Sequence, residues 1–228
     1  MNLFRLMGDM SHLASFFLIF YKIQESKSVA GISLKSQLLY LLVFVARYID
    51  LMWNFSSLYN WCMKVLFIGS SGAIVYAMLK LKPHSSTYDA TKDSQYPMYY
   101  IIVPCALLGC LWHESDADHW AFEILWSFSV WLEAVAIMPQ LDMLQKQGEC
   151  ENLTSHYVAA LGSYRAFYIL NWIYRVFTDG YWHPIVVVGG LIQTALYSDF
   201  LYQYFHQKKK GGAAAPVKLD NDMNDMNV

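Results

Sequence analysis

Apolar residues in this chain come in long runs separated by short polar stretches. A helix needs roughly 17 to 25 mostly apolar residues to cross a bilayer. Runs of this kind lie near 3–21, 36–53, 59–80, 98–113, 120–141, 154–177 and 184–205. The pattern predicts an all-α membrane protein with seven transmembrane helices. The fourth run, MYYIIVPCALLGCLW, is barely long enough, and the first and sixth carry several charges. An internal echo sets His12 against Glu133, Gln24 against Gln145, Ser33 against Thr154 and Asp50 against Asn171. With seven spans, it suggests two parallel three-helix bundles joined by a linking helix, a plan that places a binding site between the halves. Residues 1–207 then form the membrane domain. Residues 208–228, running from KKKGGAAAP into an Asp/Asn/Met stretch, read as a disordered tail.

Charge placement orients the chain. Lys22, Lys27, Lys35, Lys80, Lys82, Lys92, Lys146, Lys208, Lys209, Lys210 and Lys218 fall on one side of seven alternating spans, and the positive-inside rule makes that side cytosolic. The opposite loops hold no lysine or arginine, and one of them, ESDADHW, contributes Glu114, Asp116 and Asp118. The N-terminus is then lumenal or extracellular. Arg5, Asp9 and His12 interrupt the first apolar run, which argues for a retained helix rather than a cleaved leader. Of two glycosylation sequons, Asn152-Leu153-Thr154 falls on the cytosolic side and Asn54-Phe55-Ser56 lies very close to the bilayer.

Composition agrees: 56% of the 228 residues are hydrophobic, 17% aromatic and 15% charged, far from an ordinary soluble domain. The net charge of -2, with no basic patch, argues against nucleic-acid binding. Cys62, Cys105, Cys110 and Cys150 show no paired spacing, so neither a disulfide framework nor a metal site is expected. The lumenal HESDADH lacks fixed ligand spacing and reads as a solvated acidic loop.

The arginines change the picture most. Arg5, Arg47, Arg165 and Arg175 all sit in or beside apolar runs, whereas eleven of the lysines do not. A charge at membrane depth costs at least about 2.5 kcal/mol and persists where it pairs or meets a ligand. Four guanidiniums therefore suggest an anion-binding cavity. Arg47 and Asp50 stand three residues apart, as either an internal ion pair or part of that cavity. Arg5, Asp9 and His12 share a face of the first helix, and Glu123, Trp126 and Glu133 lie on the fifth. On the sixth, Tyr164, Tyr168, Asn171 and Arg175 form a polar stripe, with Trp172 beside it and Arg165 turned about 100° from Tyr164. His12 is either a packed core residue or, facing Glu133, a group that titrates near physiological pH. Pro139-Gln140 closes the fifth helix, and GISLKSQ opens the second. Lys208, Lys209 and Lys210 serve as ordinary anchoring or as a sorting signal, and Asp199 as a structural or conformational partner near that end.

The stretches MNLFRLMGDMSHL, GISLKSQLLYLLVFVARYIDL, SLYNWCMK, EILWSFSVWLEAVAIMPQL, TSHYVAALGSYRAFYILNWIYR and LIQTALYSDFLY together resemble the ER lumenal protein retention receptors, the KDEL receptor family, over residues 1–207. The resemblance implies a fold similar to SWEET and other PQ-loop proteins. It implies a receptor for C-terminal tetrapeptides of ER lumenal proteins, of the KDEL and HDEL type, bound in the acidic Golgi and released in the ER. COPI coat machinery and membrane lipid are the other expected partners, and no cofactor is expected. Arg5, Arg47 and Arg175 would receive the signal's carboxylates. Asp50 and Glu123, with Trp126 and Trp172, would hold its first residue, while Tyr48, Tyr168 and Asn171 position it. His12, Glu133, Tyr164 and Arg165 match the proton-sensing group. His183 stands where many members have an acidic residue, and the tail is longer than usual and holds no Ser or Thr. A SWEET-like small-solute transporter is the alternative, disfavoured by the fixed charges. A membrane enzyme lacks an activated nucleophile or metal motif.

Overall fold

The structure is a computed structural model that describes residues 2–52, 55, 57–93, 95, 97–114, 119–180, 182–211 and 216–219. Among the described residues, eight α-helices form seven spans: α1 (Leu3–Ser26), α2 (Leu34–Arg47), α3 (Leu58–Leu79), α4 (Tyr99–Leu111), α5 with α6 (Trp120–Val135 and Met138–Gln147), α7 (Asn152–Asp179) and α8 (Pro184–Gly211). By length and composition, α1, α3, α5 with α6, and α8 can each cross a membrane, and α4 is a shorter apolar helix. The chain is an all-α membrane protein, as the hydrophobic pattern predicts.

Local chemistry sets the helix ends. Asn2, Ser33 and Ser57 cap α1, α2 and α3, each accepting a hydrogen bond from a first-turn backbone N–H. Gly148 and Gly180 end α6 and α7 with φ of 70° and 62°, a conformation only glycine adopts cheaply. Two spans depart from the sequence reading. The second helix ends at Arg47, not near residue 53, and continues as a 3-10 turn over Ile49–Met52. The fifth span breaks between Val135 and Met138, and Pro139, which has no N–H to donate, sits in the first turn of α6 where none is needed.

The helices pack as two related sets. α3 lies against α1 and α2, and α8 correspondingly lies against α5 and α7. The sets meet through α1 on α7 and α2 on α5, which are equivalent contacts under the His12/Glu133 repeat, while α4 packs on α5 as the linker. At the end carrying the lysines, Gln140 joins the halves. Its side chain accepts from Ser33 N at 2.9 Å and donates to Gly31 O at 2.9 Å, and its own N–H reaches Ser36 Oγ at 3.0 Å. Ser33 also donates to Asp93 at 2.6 Å, and Tyr88 donates to the same carboxylate at 2.9 Å. The two segments singled out around Gln140 and GISLKSQ are thus one interlocked knot.

Two stretches past Phe205 are described. α8 runs to Gly211, and Val217–Lys218 forms a short strand antiparallel to Glu149–Cys150, with fully buried Val217 opposite Cys150. Buried Leu219 and the Gln207 side chain, which accepts from Lys218 N at 2.7 Å, hold it as well. Asn54, Ser56, Asp116, Asp118, the Lys210 side chain and residues 220–228 lie outside what is described.

Candidate functional site

Between the two sets, toward the end opposite the knot, lies a cavity of about 340 Å³. All four arginines, Arg5, Arg47, Arg165 and Arg175, line it, against one lining carboxylate, Glu133. Of the residues expected to form a site, His12, Tyr48, Trp126, Tyr164, Tyr168, Asn171 and Trp172 line it as well. Two sequence segments far apart in the chain therefore converge because α1 and α7 cross in close contact.

Glu133 organises the floor. It accepts from Arg47 Nη1 at 2.6 Å and from Tyr164 Oη at 2.7 Å, and lies 3.2 Å from Arg165 Nη2. Arg47 donates in addition to Ser129 Oγ at 3.0 Å, and Gln193 Nε2 donates to Tyr164 Oη at 2.9 Å. Arg165 leaves the stripe face, yet its long side chain brings the guanidinium over the rings of Tyr164 and Trp172, 5.1 and 5.6 Å from their centroids. Trp172 itself packs so tightly on Gly190 that a Cβ there would come within 2.4 Å of the indole.

His12 sits above this group. Its ring stacks on Tyr164 at 4.1 Å between centroids, with Phe67, Phe16 and Phe44 at 4.9, 5.5 and 5.7 Å. Its Nε2 is buried with no hydrogen-bond partner, as are Arg47 Nη2 and Arg165 Nε. An unfilled donor in a buried polar cluster is expensive, about 1–3 kcal/mol each, and such groups mark where a ligand or water completes the network.

The Arg47–Asp50 pairing considered from spacing does not form. Arg47 turns to Glu133, and both Asp50 oxygens lie 2.8 Å from Lys64 Nζ. The reason is the break at Tyr48, whose φ of -112° and ψ of 27° end α2 and turn the following 3-10 segment, with Asp50, away from Arg47. Asp50 and Glu123 stand outside the cavity lining; Asp50 is buried at the 3-10 turn and Glu123 opens α5. Arg175 contacts Asp179 at 3.2 Å along its own helix. Beside Trp126, His183 lies 5.3 Å away ring to ring and 3.0 Å from Glu114. Among the described residues, no group of three His, Cys, Asp or Glu side chains could hold a metal.

The sequence reading places Asp9 on the polar face of the first helix without a role, and it misses several other participants. Asp9 accepts from Tyr59 at 2.6 Å and from Tyr168, with Arg5 Nε at 3.9 Å, and so ties α1 to α3 and α7. Asn60 accepts from Arg5, and Asn2 donates to Asn171 at 2.8 Å. Lys64 carried a signal, as the one lysine inside an apolar run; Ser129 and Gln193 carried none beyond a polar side chain in an apolar helix. At the far end, Lys208 donates to Asn152 and lies over the Tyr204 ring, while Asp199 is exposed and accepts from Gln203 on its own helix.

Comparison with known proteins identifies the family. Residues 28–175 match the family described as ER lumen protein retaining receptor. The chain is 49% identical over 210 residues to an ER lumen protein-retaining receptor of Petunia hybrida, covering 92% of this chain and 96% of that one. It is 50% identical over 205 residues to one of Caenorhabditis elegans, covering 90% and 93%. A third, from Danio rerio, is 47% identical over 211 residues, covering 92% and 97%. With a match spanning both halves of the cavity and near half the residues shared along almost the whole length, the chain belongs to the ER lumen protein-retaining receptor family.

Proposed function

We propose that this protein is a pH-dependent receptor for C-terminal Lys-Asp-Glu-Leu or His-Asp-Glu-Leu signals, returning escaped lumenal proteins from the Golgi to the ER. The observation that carries the reading is the charge of the cavity: four arginines against one carboxylate, with Arg47 holding a buried N–H unfilled. Such a signal brings two acidic side chains and a terminal carboxylate. Arg5, Arg47 and Arg175 receive them, since a planar guanidinium grips a carboxylate through two parallel bonds. Tyr48, Tyr168 and Asn171 position the backbone. The first signal residue lies between Trp126 and Trp172, and its cation competes with Lys64 for Asp50, with Glu123 nearby. His183, beside Trp126 and Glu114, stands where many family members have an acidic residue, and so shifts the preferred first signal residue away from Lys.

The proton acts at His12. Neutral imidazole suits its aromatic cage, whereas imidazolium requires an acceptor for Nε2. The charges facing it come from α2 (Arg47), α5 (Glu133) and α7 (Arg165, through Tyr164), so a charged His12 draws on Glu133 and loosens its hold on Arg47. Arg47 is thereby released to the peptide. Protonation thus favours binding, and by linkage bound peptide raises the proton affinity of the same group. The lumenal end is then the cavity end, with the N-terminus, and Lys208 to Lys210 on the cytosolic end engage the COPI coat once peptide and proton shift the helix population. Asp199 lies close to this end and participates in the shift. The protein binds and releases its cargo without turnover.

Binding of labelled tetrapeptides to purified receptor from about pH 5 to pH 7.5, the range in which histidine changes charge, tests the proposal. Strong binding at acidic pH, lost on C-terminal amidation, is expected. Folded receptor that binds neither free-acid peptide at any pH overturns it.

A further inference from the structure

Asp9 is a buried acid, 5% exposed, that stands outside the lining of the arginine cavity. Burying a carboxylate is costly unless strong donors take up its oxygens. Oδ1 accepts from Tyr168 Oη, Oδ2 accepts from Tyr59 Oη at 2.6 Å, and Arg5 Nε lies 3.9 Å from Oδ2. Two of these three partners, Tyr168 and Arg5, line the cavity, and Tyr59 does not. Since α1 and α7 already pack closely on each other, a buried acid is a costly way merely to join them. Its place is explained if it serves the two cavity residues.

Both of those residues are fixed a second time. Arg5 Nη2 donates to Asn60 Oδ1 at 3.1 Å, and Asn60 follows Tyr59 in the first turn of α3. Neighbouring α3 residues thus hold the guanidinium and the carboxylate. The Tyr168 ring lies against Gly8, the residue before Asp9, where a Cβ would stand 2.9 Å from Cδ2 and 3.0 Å from Cε2. Glycine weakens a helix interior relative to alanine, so its presence in α1 fits this close approach. Along its own helix, Tyr168 has the rings of Tyr164 and Trp172 at 6.0 and 6.3 Å between centroids. Its hydroxyl has one proton, and that proton goes to Asp9, so toward a ligand the oxygen has only acceptor capacity left.

We propose that Asp9 is a positioning residue for the retrieval signal: without touching the peptide, it presets the Tyr168 phenol and the Arg5 guanidinium, and Gly8 gives the phenol its room. The inference rests on reading the cavity as a peptide site. Groups held in place before a ligand arrives lose less freedom when it binds. Arg5 is held loosely by the acid, at 3.9 Å with its side chain 42% exposed, so it can close on a peptide carboxylate. Tyr168, restricted to accepting, suits a peptide N–H instead. Asp9 therefore separates the work of the two neighbours, anion to arginine and amide to tyrosine.

The test is a double-mutant cycle on the full-length receptor, read as affinity for a labelled peptide ending in His-Asp-Glu-Leu at about pH 5.5, where histidine is charged, with thermal unfolding measured beside it. Asp9→Leu keeps much of the shape and removes the acceptors. It should weaken binding about 10-fold, a coupling typical of members of one hydrogen-bond network. In a Tyr168→Phe background the same change should cost about 3-fold or less, because the hydroxyl through which it mainly acts is gone. An acid that only ties helices together would show no such dependence in affinity. Gly8→Ala favours the helix but displaces the ring, and should weaken binding about 5-fold. Folded Asp9→Leu that binds within about 2-fold of the parent, or that loses as much with Tyr168→Phe as without it, overturns the proposal and leaves the retrieval reading standing. Should Asp9→Leu fail to fold, Gly8→Ala decides, and unchanged affinity there overturns the proposal. A folded parent that binds no free-acid peptide overturns the retrieval reading, and this inference with it.

Discussion

Two buried polar regions bridge the halves of this molecule, and they are finished to different degrees. In the knot around Gln140, both side-chain atoms and the backbone N–H of that residue are bonded, and Asp93 accepts from Ser33, Tyr88 and the Lys35 N–H. In the cavity around Glu133 the charges are stronger, yet His12 Nε2, Arg47 Nη2, Arg165 Nε and Gln193 Oε1 have no partner. A satisfied network rigidifies and specifies packing; an incomplete one holds binding energy in reserve for a ligand. The first is a joint between the halves, and the second is the proposed binding site.

The comparison breaks most visibly at Glu133. Glu133→Ala leaves Arg47 and Arg165 facing each other without their acid, and should cost about 3–5 kcal/mol in thermal or denaturant unfolding, together with binding. Arg47→Met should separate the two properties: peptide affinity falls by about 2–5 kcal/mol, while stability moves far less because Arg165 and Tyr164 still hold Glu133. Equal losses in both would mean that the cavity is a joint like the knot. Conversely, Gln140→Leu strands the Ser33 N–H and the Gly31 carbonyl. It should cost about 2 kcal/mol or more of stability with no specific change in the peptide's pH profile. His12→Phe keeps the aromatic packing and removes the proton site. Binding, which in the parent is present at acidic pH and fades as pH rises through the histidine range, should become flat with pH while the unfolding temperature stays near that of the parent. The smallest effect is expected for Tyr40→Phe, which removes one hydroxyl bond to Tyr197 at 3.0 Å and should cost about 1 kcal/mol.

Much of the fold was legible because membrane insertion writes a simple rule into the chain. Spans must be long and apolar, so their number and approximate ends follow from spacing alone. Exceptions were set by local backbone chemistry that hydropathy does not register. α2 stopped at Arg47, and the fifth span broke ahead of Pro139. The site was legible for a related reason: arginine in an apolar run is costly, and each one marked the cavity. Its pairings were not. Spacing offered Asp50 to Arg47, but the 3-10 turn gave Asp50 to Lys64, and Arg47 found Glu133 on a helix far along the chain.

The sequence by itself determined the membrane class, the seven spans, the repeat of two bundles and the residue types gathered at the cavity. Each follows from the cost of burying charge or leaving apolar surface in water, terms that depend on residue identity and local order. Only the tertiary structure decided which guanidinium meets which carboxylate, that Asp9 is clamped by two tyrosines, and that three polar atoms of residues lining the cavity remain unfilled. Those outcomes depend on distances of a few tenths of an ångström between helices that are remote in sequence, and no local pattern encodes them.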